Sequence, residues 1–173
     1  MGGRPKGLLE IAPGVTLVGR WRRLFEALGI PCVLVGANAA YDGEGVPALA
    51  DASAPGPLGG LLALLTHADD RLAIAVACDM PFVSRALVER LADAPRVAAL
   101  APRRDDHWEP FFARYDAAAV LPIATAQAHT GRGALQALLD AVPACELPLS
   151  AAEAEELADW DAPADITLAR PAH

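Results

Sequence analysis

The stretch Leu72-Ala73-Ile74-Ala75-Val76-Ala77-Cys78 limits what this chain can become more than any other part of it. It shows no polar alternation, so as a strand it needs apolar cover on both faces, which points to a sheet held between helices. Asp79-Met80-Pro81 ends it abruptly, and Ser84 is placed to cap a helix from Arg85 to about Ala92. In sheets of that kind ligands collect beyond the carboxyl ends of the strands. Asp79 therefore stands where a carboxylate would meet a ligand, although an aspartate that merely turns the chain before Pro81 fits the pattern equally well.

The rest of the sequence supplies the layers. Leu17, Val18, Trp21, Leu24, Phe25 and Leu28 recur at helical spacing, with Thr16 placed to cap the start and Gly29 the end. Ile30 to Val35 reads as a buried strand, and Ala37 to Pro57 as a loop with a short strand near Pro47 to Ala50. Gly59 to His67 reads as a small-residue helix. Strands are expected at Val97 to Ala101, Pro110 to Tyr115 and Cys145 to Pro148. Helices are expected at Ala117 to about Ala128 behind Asp116, at Gly133 to Ala141, and from Ser150 through Leu157. This alternation predicts an α/β chain: a single Rossmann-like three-layer sandwich with a mostly parallel central sheet.

With 54% apolar and 21% charged residues the chain can bury a core, and its apolar runs are far short of the ~20 residues that a membrane helix needs. A net charge of −8 argues against a nucleic-acid surface but leaves room for one local phosphate site. Cys32, Cys78 and Cys145 are odd in number and follow no zinc spacing, and no basic segment leads into an apolar one at the start. Buried thiols in a reducing cytoplasm are the expectation. The cations are thirteen arginines and a single lysine, Lys6, inside Gly2-Gly3-Arg4-Pro5-Lys6-Gly7. Glycines let backbone N–H groups converge on phosphate oxygens, and a compact ammonium adds charge there. The spacing is neither that of a Walker loop nor that of a dinucleotide fingerprint.

Further segments invite functional readings, each beside a plainer one. Asp51-Ala52-Ser53-Ala54-Pro55-Gly56-Pro57-Leu58-Gly59-Gly60 would let a ligand approach a helix start, or is ordinary loop composition. Asp106-His107-Trp108-Glu109-Pro110-Phe111-Phe112 could line a pocket for a flat heterocycle, or simply pack a tryptophan. Asp159-Trp160-Asp161 ahead of Pro163 could complete a metal site, or start a helix. His107 has no visible partner of fixed geometry and is a weak candidate base.

Taken in order, these pieces resemble the molybdenum cofactor guanylyltransferases and related nucleotidyltransferases. The matching segments are Met1 to Glu10, Asp51 to Gly60, Cys78-Asp79-Met80-Pro81-Phe82, Glu109 to Tyr115, and Asp159 to Ile166. The resemblance implies transfer of GMP from GTP to the terminal phosphate of molybdopterin, with Mg²⁺. Lys6 and Asp79 would be catalytic; Gly2, Gly3, Lys6, Asp51 and Asp79 would bind the nucleotide; Asp79 and Asp161 would hold the metal. Molybdoenzymes or cofactor-delivery proteins would be further partners. Two alternatives stand beside it: a CTP-dependent molybdopterin cytidylyltransferase, and a non-catalytic domain that binds a nucleotide or partner. Family members open with a strand and a Leu-Ala-Gly-Gly loop ahead of the segment matching Met1. The expectation is therefore one nucleotidyltransferase-like domain, residues 1–173, N-terminally truncated relative to the family, with a start assigned too late. Pro5, where many guanylyltransferases carry Asp, bears on the choice of base rather than on the reaction class.

Overall fold

The computed structural model describes residues 5–36, 38–54, 56–158 and 160. A hairpin of β1 (Glu10–Ala12) and β2 (Val15–Thr16) leads directly into helix α1 (Leu17–Ala27). The Thr16 side chain caps that helix, accepting from the Gly19 N–H at 2.9 Å. At its other end Gly29 takes φ +67°, Gly29 N–H reaches the Glu26 carbonyl, and Ile30 N–H reaches that of Phe25 at 2.9 Å. This Schellman geometry satisfies the last carbonyls of the helix but uses the Ile30 N–H. The strand expected over Ile30 to Val35 is consequently short: only β3 (Leu34–Val35) forms, pairing in parallel with β4 (Ala48–Leu49).

Helix α2 (Leu58–Ala68) follows, then β5 (Leu72–Val76), helix α3 (Arg85–Asp93) and β6 (Ala99–Ala101). A tight hairpin of β7 (Arg103–Arg104) and β8 (His107–Trp108) turns through Asp105 and Asp106, both at positive φ, and β9 (Phe112–Asp116) comes back along the sheet. Helices α4 (Ala117–His129) and α5 (Leu135–Ala141), β10 (Ala144–Glu146) and α6 (Ala151–Glu156) complete the described elements. Ser84 and Ser150 cap α3 and α6 as the sequence predicts, the latter in a reciprocal capping box with Glu153. Asp116 does not cap α4; its carboxylate is engaged by Arg96 at 2.6 and 2.9 Å. Among the described residues no helix is long and apolar enough to cross a membrane.

The main sheet runs β10-β6-β9-β5. The pleat sorts its side chains into two cores. Ala73, Ala75, Ala99, Ala101, Ala113 and Tyr115 meet α2, α4 and α5, whereas Leu100 and Phe112 meet α1 and α3, with Ile74 and Val76 packed beside them. The three-layer expectation holds, and the sheet is mixed rather than purely parallel: three of its four strands point one way and one runs against them. β9 is antiparallel to both of its neighbours, β5 and β6, and β10 is parallel to β6, so β5, β6 and β10 share one direction. The link from β6 to β9 is a short hairpin, and without a crossover helix the returning strand has to reverse direction.

Among the described residues nothing pairs with the second edge of β5. A cavity of about 580 Å³ lies there, bounded by β5, by the chain around β3, and by side chains of α1 and α2. Leu72 is accordingly 37% exposed, and Ile74 and Val76 are half-buried rather than sealed. The cysteines are all free; Cys32 and Cys78 are half-buried, but Cys145 is exposed, contrary to the expectation of three buried thiols.

Arg114 went unnoticed in the sequence and is 1% exposed. It crosses from β9 to the end of α3, donating to the carbonyls of Ala92 and Ala94 at 2.7 Å each and to that of Pro95. Burial lowers the affinity of its guanidinium for its proton, and the three carbonyls offset that cost. Arg114→Leu strands those acceptors, so urea unfolding should show a loss of about 3 kcal/mol. Arg114→Lys, with one ammonium for a planar fork, should recover only part of it.

Candidate functional site

The Lys6 side chain stands on a single 3-10 turn, Lys6–Leu8, closed by Leu8 N–H to the Pro5 carbonyl at 3.0 Å and Leu9 N–H to that of Lys6 at 2.9 Å. Proline at the head of the turn presets φ near the −57° it adopts. Leu17 N–H then bonds the Leu9 carbonyl at 3.0 Å, fastening the turn to the start of α1. Asp79 arrives from another part of the chain. Ala77 N–H bonds the Phe111 carbonyl at 2.8 Å beyond the end of β5, and Met80 and Val83 sink into the core at 3% and 0% exposure. The turn between these anchors lifts Asp79 to the carboxyl end of β5.

Lys6 Nζ donates to Asp79 Oδ2 at 2.9 Å. The two residues are 73 apart in sequence, so their meeting is a property of the fold. Asp51 lines the cavity that Asp79 also lines, together with Gly56, Pro57 and Gly60. The described residues thus pair Lys6 with Asp79 and place Asp51 on the cavity that Asp79 also lines. Gly2, Gly3 and Asp161 lie outside the described residues. Trp160, the residue before Asp161 in sequence, donates its backbone N–H to the Asp79 carbonyl at 2.8 Å.

The small residues at the start of α2 have a more local purpose than the sequence suggests. A Cβ on Gly59 would fall 2.8 Å from the Ala52 carbonyl oxygen and 3.1 Å from that of Ala54. The backbone that approaches this glycine closely is the chain's own Asp51 to Ala54 loop, and that packing holds Asp51 in place. Gly60 is more open, with Val35 Cγ1 at 3.4 Å and Asp51 Oδ1 at 3.5 Å from the same construction.

Of the aromatic segment before β9, Trp108 packs. It is 8% exposed, its indole N–H donates to Asp140 at 3.0 Å, and the Gln136 amide bonds both its backbone N–H and its carbonyl. Phe111 alone of that segment reaches the cavity. His107 sits exposed at the hairpin, its Nδ1 2.8 Å from the Asp105 carbonyl. Tyr41, which the sequence did not single out, lines the cavity, as does Cys78 of the motif around Asp79. Burial raises both the phenol and the thiol above their ordinary pKa values, and the Asp79 carboxylate beside Cys78 pushes the thiol further.

Among the described residues no group of three or more His, Cys, Asp or Glu converges as a metal cage. A hard cation that is bound with substrate phosphates needs only one or two carboxylates and keeps its remaining positions for phosphate and water. Asp79, at the cavity wall, fits that donor pattern.

The family model of the MobA-like NTP transferase domain matches residues 1–145. The chain belongs to that family. Its curated relatives include the molybdenum cofactor guanylyltransferase of Pseudomonas putida (strain GB-1), 37% identical over 120 residues, which are 65% of this chain and 61% of the relative. The Vibrio campbellii (strain ATCC BAA-1116) protein of the same name is 32% identical over 137 residues, 76% of this chain and 69% of the relative. The chain thus spans 61% of the length of the Pseudomonas putida relative. Among solved structures, molybdopterin-guanine dinucleotide biosynthesis protein A from Archaeoglobus fulgidus superposes with a TM-score of 0.74 at 21% identity, covering 96% of this chain and 89% of that one. The 2-C-methyl-D-erythritol 4-phosphate cytidylyltransferase from Thermus thermophilus gives 0.67, also at 21% identity, with 95% and 92% covered. These two likenesses establish the shared fold.

The thiols offer a direct check on the site. A raised pKa lowers the thiolate fraction at a given pH, and the thiolate is the form that is alkylated. At pH 8, iodoacetamide followed by peptide mass spectrometry should modify exposed Cys145 first, and Cys32 and Cys78 at least several-fold more slowly. Equal rates would mean that the cavity wall around Cys78 is open.

Proposed function

We propose that residues 1–173 form a single nucleotidyltransferase-like domain that transfers GMP from GTP to the terminal phosphate of molybdopterin, releasing pyrophosphate. The observation that carries this reading is the Lys6–Asp79 pair, 2.9 Å apart, beside a cavity that Asp51 also lines. Membership of the MobA-like family supports nucleotidyl transfer as the reaction class. The names of the curated relatives favour guanine over the cytosine alternative.

The chemistry asks for positioning and charge neutralisation rather than a covalent nucleophile. An anionic oxygen of the molybdopterin phosphate attacks the α-phosphorus of GTP. A new phosphorus–oxygen bond forms while the bond to the α,β-bridging oxygen breaks, and pyrophosphate leaves with that electron pair. The nucleophile carries no proton that must be removed, which agrees with an exposed His107 and with a phenol and a thiol held in their neutral forms. Lys6 neutralises charge on the triphosphate, Gly2 and Gly3 offer backbone N–H groups to it, and Asp51 holds the nucleotide. Asp79 and Asp161 would hold Mg²⁺, which would supply further neutralisation of the phosphates when bound. The acceptor and its dinucleotide product would be exchanged with molybdoenzymes or cofactor-delivery proteins in the cytoplasm.

Isothermal titration with Mg²⁺ should show GTP binding at least ten-fold tighter than CTP. With molybdopterin as acceptor, Lys6→Ala and Asp79→Ala should each lower turnover by about 10²-fold or more, the loss typical when one transition-state contact is removed, while Tm moves by only a few degrees. Binding of neither nucleotide, or full turnover in either variant, overturns the reading. Tight GTP binding without any turnover would instead favour a non-catalytic nucleotide-binding domain.

A further inference from the structure

Tyr41 lies on a 3-10 segment, Ala39–Glu44, in the long connection between β3 and β4. That segment is fixed at both ends. Asn38 caps it, its side-chain oxygen accepting from Ala40 N–H at 3.0 Å, and Tyr41 N–H returns to the Asn38 carbonyl at 3.0 Å. At the far end Glu44 accepts from the Thr16 hydroxyl at 2.6 Å. The same hydroxyl caps α1. A loop tied this firmly can hold one side chain in one place.

What Tyr41 holds is the turn that carries Lys6. Gly7 is buried, and the Tyr41 phenol lies against it. A Cβ on Gly7 would fall 2.9 Å from the phenol oxygen, 3.0 Å from Tyr41 Cε1 and 2.7 Å from Val18 Cγ2. The turn is therefore clamped between the tyrosine and α1, with no room for a larger residue. The phenol also faces the other half of the site. It is close enough to Cys78, the residue before Asp79, for the two to interact electrostatically, and Tyr41, Cys78 and Asp79 line one cavity. Lys6 is not held by its own neighbours alone; a side chain from a different loop packs against its turn and lines the cavity that the end of β5 also lines.

We infer that Tyr41 is a positioning residue for nucleotidyl transfer: packed against Gly7 and lining the cavity with Cys78 and Asp79, it sets the Lys6 ammonium at its distance from Asp79. The inference rests on the role proposed for Lys6 and adds the residue that makes that role geometrically possible. Tyr41 itself exchanges no proton and touches no reacting atom.

Two measurements on the full chain test it. In steady-state kinetics, Tyr41→Phe keeps the ring and loses the oxygen; kcat should fall about ten-fold while KM for GTP stays within two-fold, because a loosened lysine costs transition-state neutralisation more than ground-state binding. The second measurement does not depend on turnover. Lys6 is the only lysine in the sequence, so reductive methylation with ¹³C-formaldehyde labels it and the N-terminal amine alone, and keeps the positive charge. The Lys6 methyl signal in Tyr41→Phe should move toward the position that it takes in Asp79→Asn, where its partner is neutral. If Tyr41→Phe unfolds, Glu44→Ala, which releases the same segment from Thr16, should move the signal in the same direction. A Lys6→Ala variant with full turnover removes the role proposed for Lys6 and leaves the NMR result to stand or fall separately. Loss of turnover in Lys6→Ala, together with an unchanged kcat and an unmoved Lys6 signal in Tyr41→Phe, overturns the positioning role. A rise in KM with kcat unchanged overturns it too, by making Tyr41 a binding contact.

Discussion

Cover on both faces of a short-stranded sheet is the constraint from which the rest of this molecule follows. In β9 the side chains of Phe112 to Tyr115 are all buried, alternating between one helical layer and the other. A strand so enclosed has no solvent face on which to keep polar groups, so its one cation, Arg114, must find carbonyls inside the protein. The same enclosure leaves the strand ends as the outlets for charge. Asp79 emerges one turn beyond β5 because the residues on either side of it are anchored, by the Phe111 carbonyl before and by Met80 and Val83 after.

The ion pair at that outlet contributes little to folding. Lys6 is 41% exposed and Asp79 18%, and a pair that open is worth at most about 1 kcal/mol. Its weight is local. In a chain of net charge −8 it sets an ammonium beside a carboxylate at the end of a sheet strand. The half-exposed lysine can be reached from solvent, while the more buried carboxylate stays fixed.

Much of the framework was legible because it depends on local signals. Thr16, Ser84 and Ser150 mark helix starts by the chemistry of their own hydroxyls, and all three cap in the structure. Lys6 was legible by being the one lysine among glycines, and Asp79 by following the most apolar run. Long-range effects were not. The shortening of the strand at Ile30 to Val35 depends on the Schellman bond of Ile30 and on having only β4 as a partner. The reversal of β9 depends on a hairpin whose two aspartates at positive φ resemble any polar turn. Asp116 was read as a cap because nothing in the sequence says that Arg96 will claim it. Tyr41 carried no motif; its importance comes from Gly7 and Cys78, residues far from it in sequence.

The open side of β5 has a practical corollary. Its amides and carbonyls, unpaired among the described residues and surrounded mostly by alanines and aliphatic side chains, offer a hydrogen-bonding ladder. The strand carries no lysine, proline or bulge to repel a second one. Any extended polypeptide that meets this seam finds it sticky. Self-association of the chain through this edge should therefore rise with concentration while its helices and its buried arginine stay undisturbed.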